Sequence, residues 1–173
     1  MKFSYPPKFE FDDEPCIWQN PDELNSLHTH LLIHEKSLLE IGTGYGLLAE
    51  YFREEGLNVW SIDDNPICDG HDNLLVEDSH SKEALEWALL HGPYDIVFID
   101  GGHRYRDVAS DFLDYARMGK YCVLHDIDGN QAGKYPVELG PMRFWNQIKH
   151  THHTVEISAK KPENCGIGII RMK

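Results

Sequence analysis

Short apolar runs that end in an acid or a glycine recur along this chain, with helix-patterned segments between them. "SLLEIG" (37–42), "NVWSID" (58–63), "NLLVED" (73–78), "YDIVFID" (94–100) and "KYCVLHD" (120–126) each read as a strand. Their almost unbroken apolar character marks strands buried on both faces, the pattern of a parallel sheet covered by helices. Between them, "YGLLAEYFREEG" (45–56), "SKEALEWALLHG" (81–92) and "YRDVASDFLDYARMG" (105–119) carry helical spacing and stop at glycines. An earlier helix spans "NPDELNSLHTHLLIHE", with Asn20 as N-cap, Pro21 in the first helical position, and Leu24, Leu27 and Leu31 on one face. "PMRFWNQIKH" (141–150) is also helical. "TVEISAKKPENCGIGIIRM" reads as two strands joined by a polar turn containing Pro162 and Asn164. The fold class this predicts is α/β: a Rossmann-like, doubly wound, mostly parallel sheet with a C-terminal antiparallel hairpin. "NPICDGHD" (65–72) is too short and too rich in Gly, Pro and Asp for a crossover helix, so a shortened connection is expected there.

The 173 residues fit one domain. Residues 1–19 read as an N-terminal arm, with Phe3, Phe9, Phe11 and Trp18 as anchors, and residues 20–173 as a single Rossmann-like domain. Sixteen Lys and Arg against 29 Asp and Glu leave a net charge of −13. That balance disfavours a nucleic-acid partner, because phosphate backbones are held by dense Lys/Arg contacts. The apolar runs are strand-sized, and the first residues have no apolar h-region, so neither a membrane span nor a signal peptide is expected. Four cysteines (Cys16, Cys68, Cys122, Cys165) without a CxxC pair read as reduced thiols of a cytoplasmic protein.

The first strand runs into "EIGTGYG", which makes Glu40, Gly42, Thr43, Gly44 and Gly46 candidates for binding a ligand. Glycines allow a sharp turn and let a ligand approach the main chain. The second strand ends in Asp63, about twenty residues on, where a carboxylate can accept both hydroxyls of a ribose. A dinucleotide fingerprint would need G-x-G-x-x-G, but position 47 is Leu. The G-x-G-x-G spacing suits S-adenosylmethionine, a nucleoside without phosphate. Asp78 has two readings, a contact to the adenine amino group or an N-cap for the next helix.

"FIDGGHRYRD" (98–107) and "VLHDI" (123–127) end neighbouring strands in such a sheet, so Asp100, His103, His125 and Asp126 would meet on its carboxyl edge. Two carboxylates and two imidazoles together are costly unless neutralised. Three readings follow: a divalent metal, with Mg²⁺ or Mn²⁺ suited to carboxylate oxygens; a histidine general base; or helix caps and satisfied carbonyls. A two-histidine, one-carboxylate iron site of an oxygenase is a further alternative. Gly101-Gly102 is expected to act as a hinge. The loop 128–140, with Lys134 and Tyr135, is a candidate lid.

"LLEIGTGYG", "SIDDNP", "VEDSH", "DIVFIDGGHRYRDVASDF" and "VLHDI" together resemble the class I S-adenosylmethionine-dependent methyltransferases. The likeness is to the small-molecule O-methyltransferase subgroup with a DGGHxY…HD signature, which includes proteins labelled cephalosporin-hydroxylase-like. It covers residues 36 to 127 and extends more loosely to "GPMRFWNQI" and "GIGIIRM". The resemblance implies a seven-stranded sheet and a cofactor site formed by Glu40, Gly42, Gly44, Asp63 and Asp78, with Asp100 beside it. It implies a metal on Asp100 and Asp126, with His125 completing the shell, and catalytic roles for Asp100, His103 and His125. The expected reaction is methyl transfer to the hydroxyl of a small molecule or sugar, the alternative being a non-catalytic cofactor-binding module that holds a partner. The short second crossover leaves the adenine side either open or covered by another subunit, so a homo-oligomer is compatible with the sequence.

Overall fold

The computed structural model describes residues 17, 19–68, 70–128, 140–158 and 165–172. Helix α1 (Pro21–His30) begins as the sequence predicts, with Asn20 Oδ1 accepting from the Asp22 amide at 2.8 Å. Then follow β1 (Ser37–Ile41), α2 (Leu47–Glu54), β2 (Asn58–Asp63), β3 (Leu74–Val76), α3 (Lys82–His91), β4 (Tyr94–Ile99), α4 (Tyr105–Tyr115), β5 (Gly119–His125), α5 (Gly140–Ile148), β6 (His153–Ile157) and β7 (Ile167–Arg171). The seven strands form one sheet in the order β3-β2-β1-β4-β5-β7-β6. The pairs from β3 to β5 are parallel, and β7 is antiparallel to both β5 and β6. This is the Rossmann-like α/β class expected, closing hairpin included.

Alternation along each buried strand feeds two cores. Leu38, Val59, Ile96, Phe98 and Val123 face α1 and α2, packing on Leu24, Leu27, Leu48 and Phe52. Leu39, Ile41, Ile62, Val97 and Leu124 face the other way, onto Ala84, Ala88, Val108, Tyr115 and Trp145. Both faces are therefore dry, which is what the unbroken apolar runs require.

β3 is shorter than the run 73–78: Leu74 to Val76 pair with Ser61 to Asp63, and the Asn73 carbonyl and Glu77 amide supply the flanking bonds to β2. The helix expected from residue 45 begins at Leu47, since Gly46 sits at φ +72 as its N-cap. Residues 64 to 68 form no helix, in line with the shortened crossover, and the Ile67 amide ties this segment to Gly44 O at 2.9 Å. Asp78 does not cap α3. Ser81 does, accepting from the Ala84 amide at 3.0 Å, while Asp78 bonds the His80 amide. The anchors Phe3, Phe9, Phe11 and Trp18, the loop interior with Lys134 and Tyr135, and the Pro162–Asn164 turn lie outside the described residues. Among the described residues no helix is long and apolar enough to cross a membrane, and Cys68 and Cys122 are free thiols.

Gly168 on β7 receives the ring of Trp145, and a Cβ there would stand 2.6 to 2.8 Å from three ring atoms. Trp145 is itself pinned by Nε1 donating to Glu156 Oε1 at 2.7 Å. Gly168→Ala is therefore expected to cost about 1–3 kcal/mol through overpacking, at roughly 2–4 °C of Tm per kcal/mol for a chain of this size. Thermal denaturation checks this, and an unchanged Tm would mean that the ring yields freely.

Candidate functional site

The glycine loop is built by the sheet beneath it. Gly42 follows β1 at φ +86, with its amide on Ile62 O at 2.8 Å, and the Asp100 amide bonds Ile41 O at 2.9 Å. A Cβ on Gly42 would strike the Asp100 carbonyl, so only glycine fits between β2 and β4. Gly44, at φ +50, has open space where a side chain would stand. Asp63 Oδ2 accepts from the amides of Thr43 and Gly44, both at 2.8 Å, and Oδ1 accepts from the Asn65 amide at 2.8 Å. The expected ribose acid thus braces the loop, and with about four lone-pair sites on a carboxylate, one remains on Oδ1.

Glu40 lies beneath the loop, fully buried, and does not reach its open face. Ser61, its cross-strand partner, donates to Oε2 at 2.7 Å. Burial pushes the Glu40 carboxyl up to about 7, only partly countered by Thr43 and Ser61. The Thr43 hydroxyl approaches without forming a good hydrogen bond, and both it and Glu40 Oε1 are buried without a partner.

The acid–imidazole corner forms as expected. His125 Nδ1 stands 3.1 Å from Asp100 Oδ1 and 3.5 Å from Asp126 Oδ1. His103 Nε2 stands 3.7 Å from Asp100 Oδ1 and 3.4 Å from Asp126 Oδ2. Burial would lower the His125 pKa, but the Asp100 and Asp126 charges outweigh it and hold the ring protonated well above the usual range. Burial would likewise raise Asp100, yet the His125 charge and the contacts from both imidazoles keep it well below the usual carboxylate range. The Asp100 interaction lifts His103 to about 9 against the pull of burial, with Asp126 adding to it. Two carboxylates and two imidazolium rings thus neutralise one another.

Donor atoms of Asp100, His103 and Asp126 lie within 4.8 Å of one another. Two carboxylates and an imidazole suit a divalent cation. Asp126 presents Oδ2 to this set, 3.4 Å from His103 Nε2. His125, expected in this set with Asp100 and Asp126, instead backs Asp100 from a buried position. Asp126 itself sits at φ +60, a region non-glycine residues rarely adopt. Neither Gly101 nor Gly102 needs a positive φ. Gly102 makes room for Asp107, whose side chain would stand 2.9 Å from a Cβ, while a Cβ on Gly101 would meet only ordinary contacts at 3.5 Å.

Two residues escaped the sequence reading. Gln19, buried at the foot of the arm, donates from Nε2 to Asp100 Oδ2 at 2.5 Å. Nothing in its local pattern marks it, since a polar residue before an N-cap is commonplace. Asp111 is buried on α4, accepts from Ser79 Oγ at 2.8 Å, and holds the loop carrying Asp78. An acid between Val108 and Tyr115 on an apolar helical face was its available signal.

A methyltransferase-domain family model matches residues 19–158. The chain belongs to the methyltransferase-domain family. The Rossmann-like methyltransferase fold recurs in the O-methyltransferase of Bacillus cereus in complex with S-adenosylhomocysteine, at 15% identity and TM-score 0.61, covering 88% of this chain and 81% of that one. It recurs in MycE of the mycinamycin biosynthetic pathway, in complex with Mg, S-adenosylhomocysteine and mycinamycin VI, at 16% identity and TM-score 0.58, covering 95% of this chain and 51% of that one. In sequence, the chain is 28% identical over 137 residues to a 1,4-alpha-glucan branching enzyme of Mycolicibacterium paratuberculosis. That match takes in 76% of this chain but only 18% of the relative's length.

Glu40 gives a test of the electrostatics under the loop. Its folded pKa of about 7 exceeds the ordinary 4.5, so the native state binds more protons between these values and loses stability as pH rises through them. Glu40→Gln is expected to remove that slope, stabilising the protein by ~3 kcal/mol above neutral pH and little below pH 4.5. Parallel Tm-against-pH curves for the two proteins would refute this.

Proposed function

We propose that this methyltransferase moves a methyl group from S-adenosylmethionine to a hydroxyl oxygen of a small molecule. The observation that carries the reading is the main-chain link between the two halves of the site. The glycine loop and the acid–imidazole corner are joined by the Asp100 amide on Ile41 O, so a nucleoside on one lies beside the other.

S-adenosylmethionine supplies an electrophilic methyl on a sulfonium, displaced in line by the acceptor oxygen. Gly42, Thr43, Gly44 and Gly46 present main chain to it, and the free lone pair of Asp63 Oδ1 takes one ribose hydroxyl. Asp78, exposed on the loop that Ser79 anchors to Asp111, reads the adenine edge. Glu40 supports the loop from below. Gln19 and His125 hold Asp100 by its two oxygens and fix its orientation. His103, the most exposed member of the corner, is protonated below about pH 9 and hydrogen-bonds the acceptor oxygen, taking its proton only in the neutral form. A Mg²⁺- or Mn²⁺-class cation fits Asp100, His103 and Asp126, and would supply charge stabilisation to the developing alkoxide. The family gives the glycine loop a role that an iron oxygenase would leave it without.

Calorimetry tests donor binding. The wild type should show a one-site isotherm with S-adenosylhomocysteine, and Gly42→Val, which drives a side chain into the Asp100 carbonyl, should abolish it. A flat trace from folded wild-type protein would defeat the proposal. The base is tested by NMR of the His103 imidazole, which should lose its proton at about pH 9. Asp100→Asn should move that midpoint down toward 6.5, and saturating Mg²⁺ should also lower it. A His103 midpoint near 6.5 in the metal-free wild type would remove the carboxylates as its cause.

A further inference from the structure

The corner has a second, inner cluster that the methyl-transfer reading does not use. A ring nitrogen of His125, a carboxylate oxygen of Asp126 and the Sγ of Cys165 lie within 4.8 Å of one another. His125 and Cys165 are 4% and 2% exposed, so the cluster is walled off from solvent on two of its three sides. The His125 Nδ1 is engaged with Asp100 Oδ1 at 3.1 Å. Its Nε2 is buried with no hydrogen-bond partner, and so is Asp126 Oδ1. Two orphaned buried polar atoms beside one thiol make an arrangement that a bound ion completes.

The geometry points to a binding site for a borderline d-block cation, Zn²⁺ in class, held by His125 Nε2, a carboxylate oxygen of Asp126 and Cys165 Sγ, the ion displacing the Nε2 and thiol protons. A carboxylate on the far nitrogen of a ligating histidine is the usual device that fixes its tautomer and direction, and Asp100 occupies that position here. A thiolate with an imidazole selects Zn²⁺ over Mg²⁺, whose preference is for oxygen. The thiol is held in place by its own main chain. The amides of Cys165 and Gly166 bond the buried Glu23 carboxylate at 3.4 and 3.0 Å, and Cys165 O accepts from the Asp128 amide at 3.0 Å. Asp126 Oδ2 faces His103, and Oδ1 faces the His125 ring. Three protein ligands leave a fourth position open, and the ion would clamp the start of β7 to the end of β5. This site stands on its own geometry and does not depend on the methyl-transfer reading.

Titration of chelator-stripped full-length protein with Co²⁺ tests it. The expected result is one equivalent bound, with a near-ultraviolet thiolate-to-cobalt band. Zn²⁺ should displace it stoichiometrically, and a large excess of Mg²⁺ should not. The band should vanish in Cys165→Ser and persist in Cys68→Ser. A band retained in Cys165→Ser, or none in the wild type, would overturn the site. Should Cys165→Ser fail to fold, X-ray absorption of the Zn²⁺-loaded wild type decides, expecting one sulfur at about 2.3 Å. A shell of nitrogen and oxygen alone would sink it. S-adenosylhomocysteine binding measured on the same samples separates failure of this site from failure of the methyl-transfer proposal.

Discussion

Parallel pairing of β1 with β4 is the constraint from which the rest of this fold follows. It sets Ile41 beside Ile99, so the two strands end at one level and their exits share a hydrogen bond. Gly42 is then squeezed between the end of β2 and the Asp100 carbonyl, and any side chain there would collide. The strand order changes direction at this pair, opening the crevice in which doubly wound sheets bind ligands. The glycine loop on one bank and the acid–imidazole corner on the other are thus two consequences of one register.

Charge is managed within the corner itself. In a chain of net charge −13, Asp100 and Asp126 would repel each other, and they are held by two imidazoles that they keep protonated. A neutral, desolvated cluster strengthens each interaction inside it. The cost appears in local geometry: the left-handed backbone of Asp126, and the orphaned atoms of His125 and Asp126. Strain and unsatisfied groups gathered at one point are the mark of a site kept for binding rather than for stability.

Several residues take on duties that single-residue reasoning assigns differently. Asp63 was expected to face a ribose and spends most of its hydrogen-bonding capacity on three backbone amides. His125 was expected in a metal shell with Asp100 and Asp126 and lies buried behind Asp100. Gly102, read as part of a hinge, makes room for the Asp107 side chain. In each case the residue type was informative and the direction of the side chain was not, because direction depends on what packs from distant elements.

The sequence by itself determined the element types, their order, the parallel core and the closing hairpin. Hydrophobic period and capping residues are local signals, and they carry through to β2, which spans the predicted residues, and to the Asn20 cap. It also placed Asp100, His103, His125 and Asp126 together, since residues at the ends of adjacent strands must meet. Tertiary structure alone decided that Gln19, 81 residues away, grips Asp100, and that Cys165 arrives beside His125 through the antiparallel return of β7. Such contacts join segments whose local sequence holds no trace of the partner, and only the completed packing of α1 and β7 against the sheet edge brings them within bonding distance.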